Sequence, residues 1–324
     1  MKHSFPSVMI IAEPRKMEPH PVVYELLYKG RELAQSLGAS LDVLLCGPPG
    51  IQTSELVERG CNKVFLLESD CFSLPDEQVF SRQLTAMIRQ LDPEIVLIGA
   101  TSFGRSLAPR IAAALQTGLT ADCTDLIIDE SGRLVQIRPA FSENILARII
   151  TETRPQMATV RYKEFPVSQR LAKPNGVIMK VPLPESIEKT GVFTEKCADL
   201  TTDITEARVV VSGGRGLKRA EDFALLRRLA DVLEGEIGAS RTVVEEGYIS
   251  KEHQVGYSGH RVKPLLYIAC GISGSPQHLA GMKEADIIVA INSDPSAPIF
   301  QIADYGIVGD LYEVIPLMIS RFGG

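Results

Sequence analysis

The sequence predicts an α/β protein of two doubly wound domains with mostly parallel sheets, the first domain having an antiparallel extension. A length of 324 residues exceeds what one typical hydrophobic core accommodates, which favours two domains. Short apolar runs alternate with amphipathic segments near both ends of the chain, as in parallel strands joined by helices. A central stretch instead contains consecutive strand-like runs, which favours antiparallel pairing there.

The first domain begins with four predicted pairs of a strand and a helix. Its strands are SVMIIAE, SLDVLLCG, KVFLLES and EIVLIGA, and its helices are HPVVYELLYKGRELAQSLG, ELVERG, DEQVFSRQLTAMIRQLD and GRSLAPRIAAALQTG. We expect Gly38 to end the first helix and Pro109 to lie near the start of the fourth, where proline is tolerated. The runs TDLIIDE, GRLVQIRPA, NILARIITE and QMATVRYKE then predict an antiparallel extension of the sheet.

The second domain repeats the alternation after a polar connector. This connector runs from Pro166 to about Glu206, contains KPNG and PLPE, and is expected to hold no more than one short strand. Strands are predicted in ARVVVSGG, EIGASRTVVEE, LLYIACG, DIIVAIN and YGIVGD. Helices are predicted in EDFALLRRLADVLEG and LYEVIPLMIS, so this half also has the pattern of a doubly wound sheet.

Composition excludes several classes of function. A net charge of −6 without a long basic run argues against nucleic-acid binding. The longest apolar runs, such as VMII and LLYIAC, are too short to span a bilayer, so membrane insertion is not expected. The first apolar run resembles a strand rather than a signal peptide, and the six cysteines include no C-x-x-C pair. These features predict a cytoplasmic protein with reduced thiols and no metal site.

Five loops of the second domain concentrate small and polar residues directly after predicted strands. They contain SGGRG, GASRT, GISGSPQH, INSDP and GIVGD, and in a doubly wound sheet they meet at one edge, where ligands bind. Each signal alone is weak, because GGRG matches neither the G-x-G-x-x-G nor the Walker A pattern. Arg215 and Arg241 are also compatible with solvated arginines, and His278 with a packed or capping histidine. Together the loops predict a dinucleotide site that fits NAD as well as FAD.

Longer motifs resemble one particular family. VVSGGRGLK, IGASRTVV, QVGYSGHRVKPLLYIACGISGSPQHLAGM and IVAINSDPSAPIFQIADYGIVGDL resemble the alpha subunit of electron-transfer flavoproteins, through nearly all of residues 206–319. GATSFGRSLAPRIAAALQTGLTADCTDL and RPQMATVR resemble the N-terminal domain of that family. The resemblance therefore covers most of the chain and is weakest in the connector.

The resemblance implies a heterodimer with a beta subunit and one FAD. It implies a flavodoxin-like or nucleotide-hydrolase-like α/β domain over residues 1–190, which contacts the beta subunit, and an FAD-binding domain over residues 206–324. The chain would be an electron-carrier subunit between an acceptor and flavin dehydrogenases of the acyl-CoA or 2-hydroxyacid type, as in fatty acid beta-oxidation. The FAD contacts that it implies are Arg215, Ser240, Arg241, Val255, Gly256, Tyr257, Ser258, Ser273, Gly274, Ser275, Pro276, Gln277, His278, Asn292, Asp310 and Leu311.

The implied contacts divide along the cofactor. Backbone N–H groups of residues 273–277 suit the pyrophosphate, and Asn292 and Asp310 suit the ribose and adenine end. Ser258 is expected at flavin N5, and His278 near the carbonyl of the pyrimidine ring.

Two further positions bear on the flavin ring. Arg241 is expected over the ring, where a positive charge favours the reduced flavin. The family commonly has QVGQTG where this chain has QVGYSG, so Tyr257 places an aromatic ring where its relatives have an amide.

Other functions remain open at this point. TGLTADCT and RPQMATVR look closer to the branch of the family common in anaerobes, some of whose complexes bifurcate electrons from NADH to ferredoxin. A non-redox nucleotide-binding assembly subunit is the third hypothesis, since the first domain has no evident site of its own. An NAD-dependent dehydrogenase is disfavoured, because no G-x-G-x-x-G turn with a following acidic residue is present.

Overall fold

The computed structural model describes residues 6–140, 145–186 and 204–323. It divides into two compact units, Met1–Val192 and Phe193–Gly324, and each is described by itself. Both are built from parallel sheets covered by helices, so the predicted α/β class is confirmed.

The first unit contains these strands: β1 (Ser7–Ala12), β2 (Pro14–Arg15), β3 (Glu18–Pro19), β4 (Ser40–Gly47), β5 (Lys63–Glu68), β6 (Ile95–Gly99), β7 (Leu119–Cys123), β8 (Asp125–Ile128), β9 (Leu134–Ala140), β10 (Ile145–Ile150), β11 (Gln156–Val160) and β12 (Val177–Lys180). Its helices are α1 (Val22–Leu37), α2 (Ser54–Glu58), α3 (Glu77–Leu91) and α4 (Ser102–Leu115). As predicted, α1 ends at Gly38, which adopts the left-handed conformation that glycine tolerates best.

The main sheet of the first unit is parallel, with the order β12-β5-β4-β1-β6-β11-β7. Alternate residues of β1 point to opposite faces: Ile10 packs in the core that α1 covers, and Ile11 in the core that α3 and α4 cover. The unit is therefore doubly wound. When the central parallel strands are numbered by their order along the chain, β5-β4-β1-β6 has the order 3-2-1-4. A flavodoxin-like sheet has the order 2-1-3-4-5, so this domain does not have the flavodoxin-like strand order that was one of the two expectations for it.

The antiparallel part of the first unit differs from the prediction. Strands β8, β9 and β10 form a separate antiparallel sheet of three strands, in the order β10-β9-β8. The run QMATV forms β11, which lies inside the parallel sheet between β6 and β7. Every residue of β11 is buried, which suits a central parallel strand covered on both faces. Interpreting QMATVRYKE as an antiparallel strand was therefore wrong.

Helix α4 begins earlier than the sequence suggested. The hydroxyl of Thr101 accepts a hydrogen bond from the N–H of Gly104 at 2.9 Å, so this side chain caps the helix and Ser102 is its first residue. Pro109 consequently lies in the helix interior and not near its start, which corrects the prediction. The missing N–H of Pro109 leaves one helical hydrogen bond unmade, and packing of the helix must offset that loss.

The connector contains β12, the one short strand that its composition allowed, among the residues described there. Strand β12 pairs in parallel with β5 at the edge of the main sheet. The rest of the connector, residues 187–203, lies outside the described residues.

The second unit contains β13 (Val209–Gly213), β14 (Glu236–Ala239), β15 (Leu266–Cys270), β16 (Ile287–Asn292) and β17 (Tyr305–Val308). Its helices are α5 (Phe223–Val232), α6 (Arg241–Glu245), α7 (Pro276–Leu279) and α8 (Leu311–Phe322). The five strands are parallel, in the order β14-β13-β15-β16-β17, as predicted for a doubly wound sheet. The order reverses between β13 and β15, and at such a point the following loops diverge and leave a crevice.

Candidate functional site

A cavity of about 450 Å³ lies where the loops after β13, β14, β15 and β16 meet. Its volume falls within the range of about 300–1,000 Å³ that is usual for small-molecule sites. Most residues singled out in the sequence line it: Arg215, Ser240, Arg241, Val255, Gly256, Tyr257, Ser258, Ser273, Gly274, Ser275, Gln277, His278 and Asn292.

Three singled-out residues lie outside the lining of the cavity. Asp310 caps α8, because its carboxylate accepts a hydrogen bond from the N–H of Tyr312 at 2.9 Å. Leu311 is buried in the core of the unit, and Pro276 is the first residue of α7. Other lining residues were not among the individual FAD contacts that the resemblance implied, although most lie in the loops singled out in the sequence: Gly216, Thr242, Gln254, Gly271, Ile272, Asp294 and Ala297.

Glycines let the loops after β13 and β15 touch each other through their backbones. The N–H of Gly216 donates to the carbonyl of Gly271 at 2.9 Å, and the N–H of Gly214 donates to the carbonyl of Cys270 at 2.9 Å. A Cβ atom on Gly271 would lie 2.7 Å from the Cα of Gly216, closer than real Cβ atoms approach. Small residues are therefore required on both loops, and this contact forms one wall of the cavity.

The loop after β15 presents N–H groups that no protein acceptor uses. Among the described residues, the N–H groups of Ser273, Gly274 and Ser275 make no hydrogen bond. Gly274 has a φ of 90°, which lets the loop turn sharply against Ile299. Helix α7 has only four residues, so attraction of an anion here comes from free N–H groups rather than from a helix dipole.

The Gln254–Ser258 segment adds a second wall. Gln254 is buried, and its Nε2 donates to the hydroxyl of Ser258 at 3.1 Å, which orients that hydroxyl. The N–H of Tyr257 donates to the carbonyl of Gln277 at 2.7 Å, joining this segment to the loop after β15. The ring of Tyr257 is exposed, and the guanidinium of Arg261 lies 5.7 Å from its centre.

Comparison with protein families decides what this site belongs to. The electron transfer flavoprotein domain matches residues 8–186, and the electron transfer flavoprotein FAD-binding domain matches residues 203–283. The chain belongs to the electron transfer flavoprotein alpha-subunit family. The resemblance seen in the sequence is confirmed, and FAD is the cofactor of this family domain.

Curated relatives of this electron transfer flavoprotein chain extend over almost its whole length. The electron transfer flavoprotein subunit alpha of Thermoanaerobacterium thermosaccharolyticum is 42% identical, over 98% of each chain. Protein FixB of Rhizobium meliloti is 39% identical, over 98% of this chain and 92% of that one. The lactate dehydrogenase (NAD(+),ferredoxin) subunit LctC of Acetobacterium woodii is 42% identical, over 94% of this chain and 74% of that one.

The residues of the flavoprotein cavity fit a flavin dinucleotide. Free N–H groups at residues 273–275 suit a pyrophosphate, and the hydroxyl of Ser258 suits a ring nitrogen. Burial lowers the pKa of His278 to about 4, so this side chain is neutral near pH 7. Within the described part of the chain, its Nδ1 is a buried atom without a hydrogen-bond partner. Such an orphaned polar atom beside a cavity is expected where a ligand completes the site.

The cations of the site are exposed. Arg241 is the first residue of α6, and its Nε lies 2.7 Å from a carboxylate oxygen of Glu245. Arg215 also lies exposed on its loop. Both side chains are therefore able to turn towards a ligand, and for Arg241 this breaks only a weak surface contact.

The described residues lack the features of a metal site and of a membrane-spanning helix. They contain no group of three or more His, Cys, Asp or Glu side chains that could hold a metal ion. None of their helices is long and apolar enough to cross a membrane. Cys46, Cys61, Cys71, Cys123 and Cys270 are free thiols, and Cys197 lies outside the described residues.

Proposed function

We propose that the chain holds one FAD in the cavity of its second unit, pairs with a beta subunit and carries electrons to an acceptor. The donor in this proposal is a flavin dehydrogenase of the acyl-CoA or 2-hydroxyacid type. The observation that carries the proposal is the meeting of the family's motifs around one cavity at the β13–β15 switch point. Bound FAD supplies the ring that accepts and releases electrons.

The residues of the chain bind and orient the cofactor in this proposal. The N–H groups of residues 273–275 bind the pyrophosphate, and Ser258, oriented by Gln254, hydrogen bonds to the ring. Arg241 supplies positive charge that favours the reduced ring, and His278 donates a hydrogen bond beside it. Asp310 caps α8 and Leu311 packs in the core of the unit, so both act on the site through the elements that they stabilise.

The beta subunit is proposed to bind at strand β10 of the first unit. β10 is an edge strand of the three-stranded sheet, and its Ile145, Leu146 and Ile150 are 56%, 61% and 40% exposed. An exposed apolar edge strand favours pairing with another chain. The antiparallel sheet would then be the part of the first unit that serves assembly.

Flavin stoichiometry of the heterodimer tests the proposed function. The chain, coexpressed with its beta subunit and purified, is expected to show flavin absorbance and one FAD per heterodimer. Adding an acyl-CoA dehydrogenase with its substrate, or a 2-hydroxyacid dehydrogenase with its own, is expected to bleach that absorbance. A heterodimer without flavin absorbance after incubation with FAD would contradict the proposal.

Electron bifurcation is a second candidate function. It is supported by the 42% identity to the LctC subunit, whose name includes both NAD(+) and ferredoxin. In this case a second FAD in the beta subunit and reduction of ferredoxin by NADH are expected. If the heterodimer contains one FAD and does not reduce ferredoxin with NADH, bifurcation is excluded and the proposed electron-carrier function stands.

A further inference from the structure

Three polar side chains from different elements are buried together beside the cavity. Ser212 of β13 and Tyr267 of β15 are both 0% exposed, and His278 of α7 is 4% exposed. Tyr267 belongs to an apolar cluster that includes Val210 and Ile288. Polar groups in such surroundings are costly unless they bond to each other, so their arrangement of protons is constrained.

The phenol of Tyr267 lies 2.9 Å from Nε2 of His278. Burial lowers the pKa of His278 to about 4, and it raises the pKa of Tyr267 well above its ordinary value. Near pH 7 the phenol therefore keeps its proton, and the imidazole carries one proton on one of its two nitrogens. Two arrangements are possible. In the first, the phenol of Tyr267 donates to Nε2 and the imidazole proton is on Nδ1. In the second, Nε2–H donates to the phenol oxygen and Nδ1 carries no proton.

The second arrangement requires another acceptor for the phenol proton. Ser212 is the other hydroxyl residue that acts on Tyr267, but in the described part of the chain its Oγ makes no hydrogen bond of normal geometry. Burial raises the pKa of Tyr267, and Ser212 lowers it by a smaller amount. Nε2 of His278 is thus the acceptor available to the phenol.

The other side of the imidazole agrees with this assignment. Burial lowers the pKa of His278, and the backbone of Val255 raises it by a smaller amount. Nδ1 has no hydrogen-bond partner among the described residues. No group of the described residues therefore accepts a hydrogen bond from a proton on Nδ1, and a ligand atom that reaches this nitrogen can accept it.

We propose that Tyr267 is a positioning residue, whose phenol donates to Nε2 of His278 and fixes the tautomer that carries its proton on Nδ1. The fixed Nδ1–H then serves as the donor to a carbonyl oxygen of the flavin ring. This inference rests on the proposed placement of FAD in the cavity. Tyr267 acts on the cofactor only through His278.

Nitrogen NMR of the imidazole tests the tautomer in the native sequence and without FAD, and a variant is needed only to assign the signals. In the heterodimer labelled with ¹⁵N-histidine, His278 is expected to show a protonated Nδ1 and an unprotonated, hydrogen-bonded Nε2. His278→Gln identifies the signals of this histidine. A protonated Nε2 in the native heterodimer would overturn the proposal.

A double-mutant cycle tests the route from Tyr267 to the flavin. Tyr267→Phe is expected to weaken FAD binding by about 2- to 10-fold, the loss of one hydrogen bond, and to shift the flavin midpoint potential. In a His278→Gln background the same change is expected to have no further effect on either quantity. Tyr248→Phe, which removes a hydroxyl that donates to Lys218 elsewhere in the unit, is the matched control and is expected to change neither.

The outcomes distinguish the positioning role of Tyr267 from the placement of FAD beside His278. If His278→Gln changes the FAD dissociation constant and Tyr267→Phe does not, the positioning role is wrong and the FAD placement stands. If Tyr267→Phe acts equally with and without His278, its role is structural and the proposal is overturned. If His278→Gln has no effect on affinity or potential, the placement of FAD beside His278 fails, and with it the inference.

Discussion

Arg241 is the residue whose charge we expect to act most directly on the flavin potential. Its guanidinium is exposed and pairs with Glu245, and such a pair contributes about 0–1 kcal/mol, so it yields easily to a ligand. Arg241→Ala is expected to lower the one-electron potential of the bound flavin by up to about 59 mV, the equivalent of about 1.4 kcal/mol. The midpoint potential of the heterodimer, measured by redox titration, checks this value.

Two further variants calibrate the effect of Arg241. Glu245→Gln frees the same guanidinium and is expected to leave the potential equal or higher. Arg227→Ala removes an arginine that pairs with Glu236 and does not line the cavity, and it is expected to leave the potential unchanged. Equal potentials in all four proteins would contradict the placement of Arg241 beside the flavin.

Glu25 gives the first unit a dependence on pH. Burial raises its pKa to about 7, although its carboxylate accepts a hydrogen bond from the N–H of Lys163 at 2.8 Å. Because the folded pKa exceeds the unfolded one, its stabilising contribution is complete below about pH 4.5 and is lost as the pH rises through 7. The free energy of unfolding is thus expected to fall by on the order of 3 kcal/mol between these limits.

Glu25→Gln isolates this effect. The amide keeps an oxygen for the N–H of Lys163 but does not ionise, so the variant is expected to gain stability relative to the native chain between pH 5.5 and pH 8. Urea unfolding at the two pH values, followed by circular dichroism, measures the difference. A constant difference between the two proteins would show that Glu25 does not titrate in this range.

At the scale of elements, the contact between the loops after β13 and β15 is the most sensitive feature of the site. Gly271 has a φ of 62°, and a Cβ there would meet Gly216. Gly271→Ala is therefore expected to combine backbone strain of roughly 1 kcal/mol with displacement of both loops, and to weaken FAD binding at least tenfold. Gly247→Ala is the control, since Gly247 has a φ of 78° and nothing within 4 Å of its Cβ position. Calorimetry measures FAD binding to both variants. Because Gly247→Ala introduces backbone strain without a steric clash, the difference between the variants reports the clash of the new Cβ with Gly216.

Elements were predictable wherever the local pattern and the tertiary environment agree. α1 and the five strands of the second unit follow from apolar periodicity and glycine stops, but RTVVE of the predicted strand run EIGASRTVVEE forms helix α6 instead. β11 was misassigned because a short buried run has no period that distinguishes a central parallel strand from an antiparallel one. The start of α4 was missed because the cap is made by the side chain of Thr101, a contact that apolar spacing does not reveal.

At the scale of the whole molecule, the exposed apolar edge of β10 predicts how the heterodimer is held. Leu146→Glu is expected to weaken association with the beta subunit by tenfold or more, because it buries a charge in an apolar contact. Ile178→Glu on β12, the exposed edge strand of the parallel sheet, is the matched control. Sedimentation of the two variant heterodimers measures how strongly the subunits associate. If Ile178→Glu dissociates the heterodimer and Leu146→Glu does not, the interface lies at β12 and not at β10.

The sequence by itself determined the α/β class, the two-part organisation, the family and most of the residues around the cavity. It did so because glycines, hydroxyl groups and charged residues directly after strands are local features, and parallel topology brings strand ends to one edge. The hydrogen bond between Tyr267 and His278 and the contact of Gly216 with Gly271 were decided only by tertiary structure. Each joins residues on different elements, and their distance depends on sheet order and packing rather than on any spacing along the chain.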